Sequence, residues 1–165
     1  MAISAAFLPA VATAQVVRGT ANTSVTANVG ADASIAVSSP TTLTPSGGAF
    51  SAFTGSTVVT FYVRTTRTGG SGSIVLQAAE FSPAGGPTVS GGSLTYTCTG
   101  APAVGSACAG TQTASTSATT PIVSGIGANA RAQAAGTTVN WSVTNSPFYS
   151  TGTYASSVTF TLAAN

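Results

Sequence analysis

The sequence has no histidine and no lysine, and its charge is confined to four arginines and two acids in 165 residues. These gaps exclude much chemistry. Without histidine there is no Ser-His-Asp triad and no Cys-His pair. Without lysine there is no Ser-Lys dyad and no Schiff base. Arg18, Arg64, Arg67 and Arg131 are scattered apart from one close pair, whereas nucleic-acid binding needs several phosphate-neutralising cations on one face. No nucleic-acid partner is expected. No run of about 18 apolar residues occurs, so no integral membrane helix is expected. The only two cysteines, Cys98 and Cys108, are not spaced as C-x-x-C and have no histidine to share a metal with. No cluster of oxygen ligands for calcium is visible. The glycines fall between strands with no helix following, so no phosphate cradle is implied. Catalytic, cofactor-binding and metal residues are therefore expected to be none. The two acids, Asp32 and Glu80, are the minimum a glycosidase would need. Their plainer reading is as solvated carboxylates, or as partners of an arginine such as Arg64 or Arg67.

What is present is hydroxyl and small apolar side chains. There are 22 serines and 29 threonines, and 43% of residues are hydrophobic. Disorder driven by charge is excluded, because such chains combine high charge with low hydrophobicity. Threonine is β-branched and suits strands. With 19 glycines and 8 prolines as punctuation, the expected class is all-β, and the length suits one domain with a real core. A net charge of +2 provides little repulsion between copies.

Residues 1–14 read as an apolar signal segment closed by Ala12-Thr13-Ala14, which leaves Gln15 as the mature N-terminus. The alternative is a first segment of the folded protein, since no basic residue precedes Arg18. The cysteines agree with export. Cys98 and Cys108 flank a loop rich in glycine, proline and alanine, which suits a disulfide worth roughly 2–3 kcal/mol by loop entropy.

Residues 15–37 form an N-terminal arm and first strand. Val17, Val25, Ala27, Val29, Ala31, Ala33, Ile35 and Val37 share one parity, with polar residues on much of the other. The run is too long for one strand, and Gly30 is a place to divide it. Residues 38–165 form the sandwich domain. Val59, Phe61 and Val63 alternate with Thr60, Tyr62 and Arg64, and Ile74, Leu76 and Ala78 follow after "TGGSGS". That pair is expected to be a β-hairpin. "SLTYTCT" points Leu94, Tyr96 and Cys98 one way, and Val139, Trp141 and Val143 point inward. Tyr62, on the opposite parity from its apolar neighbours, is the aromatic expected to be exposed. "GANARAQAAG" is the one stretch with the composition of a helical turn. The closing strand carries Val158, Phe160 and Leu162 on one parity. The sum is an immunoglobulin-like antiparallel β-sandwich of about seven or eight strands with an extended N-terminal arm.

The alternating arm, "LTYTC" in mid-chain and the closing "GTYASSVTFTL" resemble the secreted β-sandwich subunits of bacterial surface fibres, the chaperone–usher pilins and the spore coat protein U-like family. The chain departs from pilins in ending Ala163-Ala164-Asn165 and in carrying its cysteine pair mid-chain. The resemblance implies an incomplete sandwich, donor-strand polymerisation and a cell-surface filament. It also implies an assembly chaperone or outer-membrane usher as partner. The expected function is that of a noncatalytic, secreted subunit forming a head-to-tail homopolymer, with the donated strand within residues 17–37. The alternative is a monomeric adhesin or glycan-binding module, with Tyr62 or Tyr149 against a sugar.

Overall fold

A computed structural model of the chain describes residues 23–38 and 40–165. The expected signal segment and Val17 lie outside these residues. The described part is all-β, with ten strands: β1 (Asp32–Val37), β2 (Thr44–Pro45), β3 (Phe53–Arg64), β4 (Gly72–Ala78), β5 (Leu94–Thr99), β6 (Ser106–Ala107), β7 (Gln112–Thr113), β8 (Thr120–Ile126), β9 (Arg131–Val143) and β10 (Val158–Ala164). Three of them, β2, β6 and β7, have two residues each, which leaves seven longer strands.

The strands make two antiparallel sheets. One runs β1-β3-β9-β5-β7, with β2 beside the start of β3; the other runs β10-β4-β8-β6. The expected hairpin does not form. β3 and β4 sit in different sheets, and residues 65–71 carry the chain across the sandwich. Both strands alternate, and both have an apolar inner row: Val59, Phe61 and Val63 on β3, and Ile74, Leu76 and Ala78 on β4. Facing each other across the core buries both rows against each other. The turn is held from within. Thr65 is buried; its hydroxyl donates to the Gly127 carbonyl at 2.7 Å and accepts from the Ala130 amide at 2.9 Å. The stretch with helical-turn composition is instead a turn at Ala128 and Asn129, followed by the 13-residue strand β9. Asn129 takes a left-handed φ of 55°, a conformation asparagine tolerates better than most residues, and the chain reverses into a strand.

Trp141 lies inside, between Tyr96 at 5.5 Å and Phe160 at 6.5 Å between ring centroids. Its indole N–H donates to the Thr57 hydroxyl at 2.8 Å. The Tyr96 hydroxyl reaches Thr120 Oγ1 at 2.8 Å and the Pro121 carbonyl at 2.9 Å. Burial pushes its phenol above the ordinary value, and the Thr120 bond opposes this in part. Among the described residues every buried side-chain polar atom has a partner, as a stable interior requires. The threonines that marked this chain as β-rich thus also satisfy its core.

The sandwich has two distinct ends. At one end Thr65 bonds Ala130, Thr66 bonds Asn165, and Gly72 pairs with Ile126 and Ala164. Arg64, Arg67 and Arg131 gather at this end, and β1 begins here. At the other end, Phe53 and Leu94 both pair with Val143, and Glu80 lies two residues past the end of β4.

Candidate assembly edge

β10 is the outermost strand of its sheet and pairs only with β4 among the described residues. Its register runs from Val158 opposite Ala78 to Ala164 opposite Gly72. The Ala79 amide donates to the Ser157 carbonyl and the Asn165 amide to the Ser71 carbonyl. Hydrogen-bonded pairs alternate along an antiparallel ladder, so the odd-numbered residues of β10 bond β4. The N–H and C=O groups of Val158, Phe160, Leu162 and Ala164 then point to the open side. These are the residues whose side chains face the core. No described strand flanks them on that side, and they are only half-buried, while the alternate residues Thr159, Thr161 and Ala163 are exposed. On neighbouring β4, which is flanked on both sides, Ile74 and Leu76 are fully buried. Side chains of similar kind differ in cover because, among the described residues, β10 is paired on one side only.

The edge of the opposite sheet at this side is β1, which lies against β10 across the sandwich. Asp32 to Val37 pair with Arg64 to Val59 of β3. The Ser38 amide donates to the Val58 carbonyl, which places the even residues in hydrogen-bonded pairs with β3. Ala33, Ile35 and Val37 therefore turn their backbone groups outward. Ile35, like Val158, Phe160, Leu162 and Ala164, is partly buried against the core. β1 and β10 thus border a seam on one side of the sandwich, with apolar side chains towards the core and, along both rims, main-chain groups that pair with no other strand among the described residues.

Residues 23–31 precede β1, belong to no strand and are exposed. Val25 is 93% exposed and Val29 is 65% exposed. Of the expected donor residues, Val25, Ala27, Val29 and Ala31 lie in this free stretch, and Ala33, Ile35 and Val37 lie in β1. Strand pairing begins at Asp32, two residues after Gly30. Only Ile35 of the set is part-buried. The parity pattern runs unbroken through both parts, so sequence periodicity alone does not separate the arm from the strand.

The remaining candidates disperse. Cys98 and Cys108 form a disulfide with Cα atoms 5.3 Å apart; it ties β5 in one sheet to the end of β6 in the other. Asp32 opens β1, and Glu80 lies two residues past β4 of the other sheet, near the opposite end of the sandwich, so the two do not make a carboxylate pair. Asp32 is 4.0 Å from an Arg64 amino group at the surface. Glu80 accepts hydrogen bonds from the Val89 and Ser90 amides, each at 2.7 Å. Ser90, through its side chain and its amide, and then the Val89 amide hold the carboxyl below its ordinary value. Tyr149 is half-buried, with its hydroxyl 3.2 Å from Ser93 Oγ. Tyr62 is exposed at 46%. The candidate groups that residue types could not reveal are the main-chain groups of β10 that pair with no strand among the described residues. Only the position of β10 in the sheet order makes them available.

Compared with known protein families, with characterised proteins and with solved structures, the chain matches none.

Proposed function

We propose that this protein is a noncatalytic structural subunit, exported from the cell, that self-assembles head to tail into an extracellular filament. The arm of one copy lies along the β10 edge of the next and completes its sheet. One observation carries this reading: on β10, the residues whose main-chain groups have no strand partner among the described residues are the same residues whose apolar side chains are half-covered. An added strand would satisfy both deficits at once. Its backbone would extend the ladder, and its alternate side chains would enter the core and set register.

The arm has the matching character. Val25, Ala27, Val29 and Ala31 alternate with Thr26, Asn28 and Gly30; among the described residues none belongs to a strand, and all are exposed. β10 has seven residues, or about 23 Å at 3.3 Å per residue. Residues 23–31 alone extend about 30 Å on the same scale. The interface is between unlike surfaces, so it propagates instead of closing. It would also cover an edge that otherwise invites uncontrolled pairing. The disulfide suits an oxidising, extracellular setting. An assembly chaperone or outer-membrane usher, suggested by the resemblance to fibre subunits, would be the partner that covers the seam before assembly.

The test is electron microscopy of the native secreted material, beside SDS gels with and without boiling. Uniform filaments that release monomer only on boiling are expected. Deletion of residues 15–27 should leave a subunit that does not polymerise. Monodisperse particles from the full chain, or normal filaments from the deletion, would defeat the reading.

A further inference from the structure

The outer face of the six-stranded sheet is mostly small and hydroxylated: Thr54, Ser56 and Thr60 on β3, and Thr138, Asn140 and Ser142 on β9. One end differs. Asp32, Arg64 and Arg131 stand in register on three adjacent strands. In the next row Ser34 stands opposite Tyr62, with Gln133 beside them. Five charged side chains occur among the described residues, Asp32, Arg64, Arg67, Glu80 and Arg131, and three share this row. The six residues of the two rows line an open depression of about 500 Å³.

A backbone irregularity builds this face. From Ala135 to Val143, the odd-numbered residues of β9 point inward. Continued without a break, that alternation would bury Gln133 and Arg131. Instead Phe61 pairs with Ala135 and Val63 with Ala132, so β9 carries one extra residue. Ala134 sits there at φ 51°, a left-handed conformation unfavourable for a residue with a Cβ. The bulge reverses the alternation. Ala132 now packs on the core, and Arg131 and Gln133 are exposed. Bulges commonly re-aim side chains in this way beside functional sites.

The charges placed there do not stabilise one another well. Arg64 and Arg131 are direct cross-strand neighbours, and like charges so placed repel. Asp32 offsets this only in part: its carboxylate is 4.0 Å from Arg64 and its side chain is 80% exposed, where ion pairs are weak. Arg64 is aimed by its Nε–H, which donates to the Gly30 carbonyl at 2.6 Å. No hydrogen bond among the described residues occupies the Arg131 guanidinium.

The geometry points to a binding site for an acidic saccharide, a sugar carrying a carboxylate. The two guanidiniums would hold one anionic group between them by charge-assisted hydrogen bonds. The exposed Tyr62 ring offers an apolar face to the pyranose C–H bonds, with a hydroxyl at its rim. Ser34, Gln133 and Asp32 surround it with donors and acceptors for sugar hydroxyls. The two rows lie on an outer sheet face and not in the seam; only the Gly30 carbonyl that aims Arg64 belongs to the arm.

The test is titration of the full chain with a galacturonic acid trimer, followed by calorimetry or by amide chemical shifts. The methyl-esterified trimer, inorganic phosphate and a short single-stranded DNA serve as comparisons. The acidic trimer should bind more tightly than its ester by about tenfold or more, and salt should weaken it. Arg131→Gln and Tyr62→Ala should each lose about tenfold, and Arg67→Gln on the adjacent turn should change little. Arg131→Gln should also leave the thermal midpoint unchanged or raised, because it removes a repulsion. Absence of acidic-trimer binding at millimolar concentration would overturn the site, as would equal binding of the ester. Equal binding of DNA or phosphate with no effect of Tyr62→Ala would do the same. A lowered midpoint in Arg131→Gln would assign that arginine to the fold.

Discussion

At the scale of single residues, this chain uses hydroxyls where most proteins use charge. Thr57 accepts the Trp141 indole N–H and lies 2.6 Å from the Thr41 hydroxyl. Thr137 is buried and donates to the Thr99 carbonyl at 2.9 Å. Replacing Thr57 by Val should cost about 1–3 kcal/mol, because it leaves a buried donor unpaired at nearly constant volume. Urea denaturation of the variant would check this. Glu80 is the exception, a carboxylate with a structural task. Its backbone bonds tie the end of β4 to the loop at Val89 and Ser90. Because the folded-state value lies below the ordinary 4.5, its stabilising contribution is complete above that ordinary value. It is lost as pH falls through the lowered folded-state value. The urea midpoint should therefore hold from neutral pH down to the ordinary carboxylate range and decline below it. Glu80→Gln should flatten the part of that decline due to this group. An unchanged acid limb in the variant would show that Glu80 carries none of it.

At the scale of strands, alternation was readable where a strand keeps one parity. Val59, Phe61 and Val63, Ile74, Leu76 and Ala78, and Val139, Trp141 and Val143 face inward as their spacing predicts. Alternation failed at β9, where the bulge at Ala134 breaks parity inside "ARAQAAG" and leaves a segment that resembles neither period. It was also silent on pairing. β3 and β4 each show a good inner row, and nothing in either distinguishes a hairpin partner from a partner across the core. Likewise the parity of Val158, Phe160 and Leu162 shows which way they point but not that their strand is last in its sheet. That difference is measurable. Leu76 is fully buried and Leu162 is half-buried. In the monomer, Leu76→Ala should cost about 2–5 kcal/mol and Leu162→Ala clearly less. Equal costs would mean that the β10 edge is covered. Ala134→Gly should be tolerated or stabilising, by up to about 1 kcal/mol, because glycine adopts the left-handed φ without strain.

At the scale of the whole molecule, three constructions act on different parts of the same sandwich. The Cys98–Cys108 bridge joins β5 to the end of β6 and so crosses between the sheets. The seam opens on the opposite side, where no covalent tie joins β1 and β10. The arm leaves from the end at which Arg64, Arg131 and Asn165 lie. It therefore departs from one end of a seam it could reach in two ways, by turning back on its own copy or by extending to another. The two routes bury the same residues but differ in order of reaction. If the arm serves a neighbour, the assembled fraction should rise with protein concentration, and a detached peptide of residues 15–31 should cap the seam and inhibit growth. If it folds back, the chain should remain monomeric and indifferent to the peptide. Parity supplies the control. Val29→Asp would place a charge among apolar side chains in the completed sheet, costing several kcal/mol, and should stop assembly. Asn28→Asp adds the same charge one residue away, on the face that points outward, and should assemble nearly as the parent does. Light scattering on this pair separates a paired strand from a generally sticky tail, because a tail without register would respond to both substitutions alike.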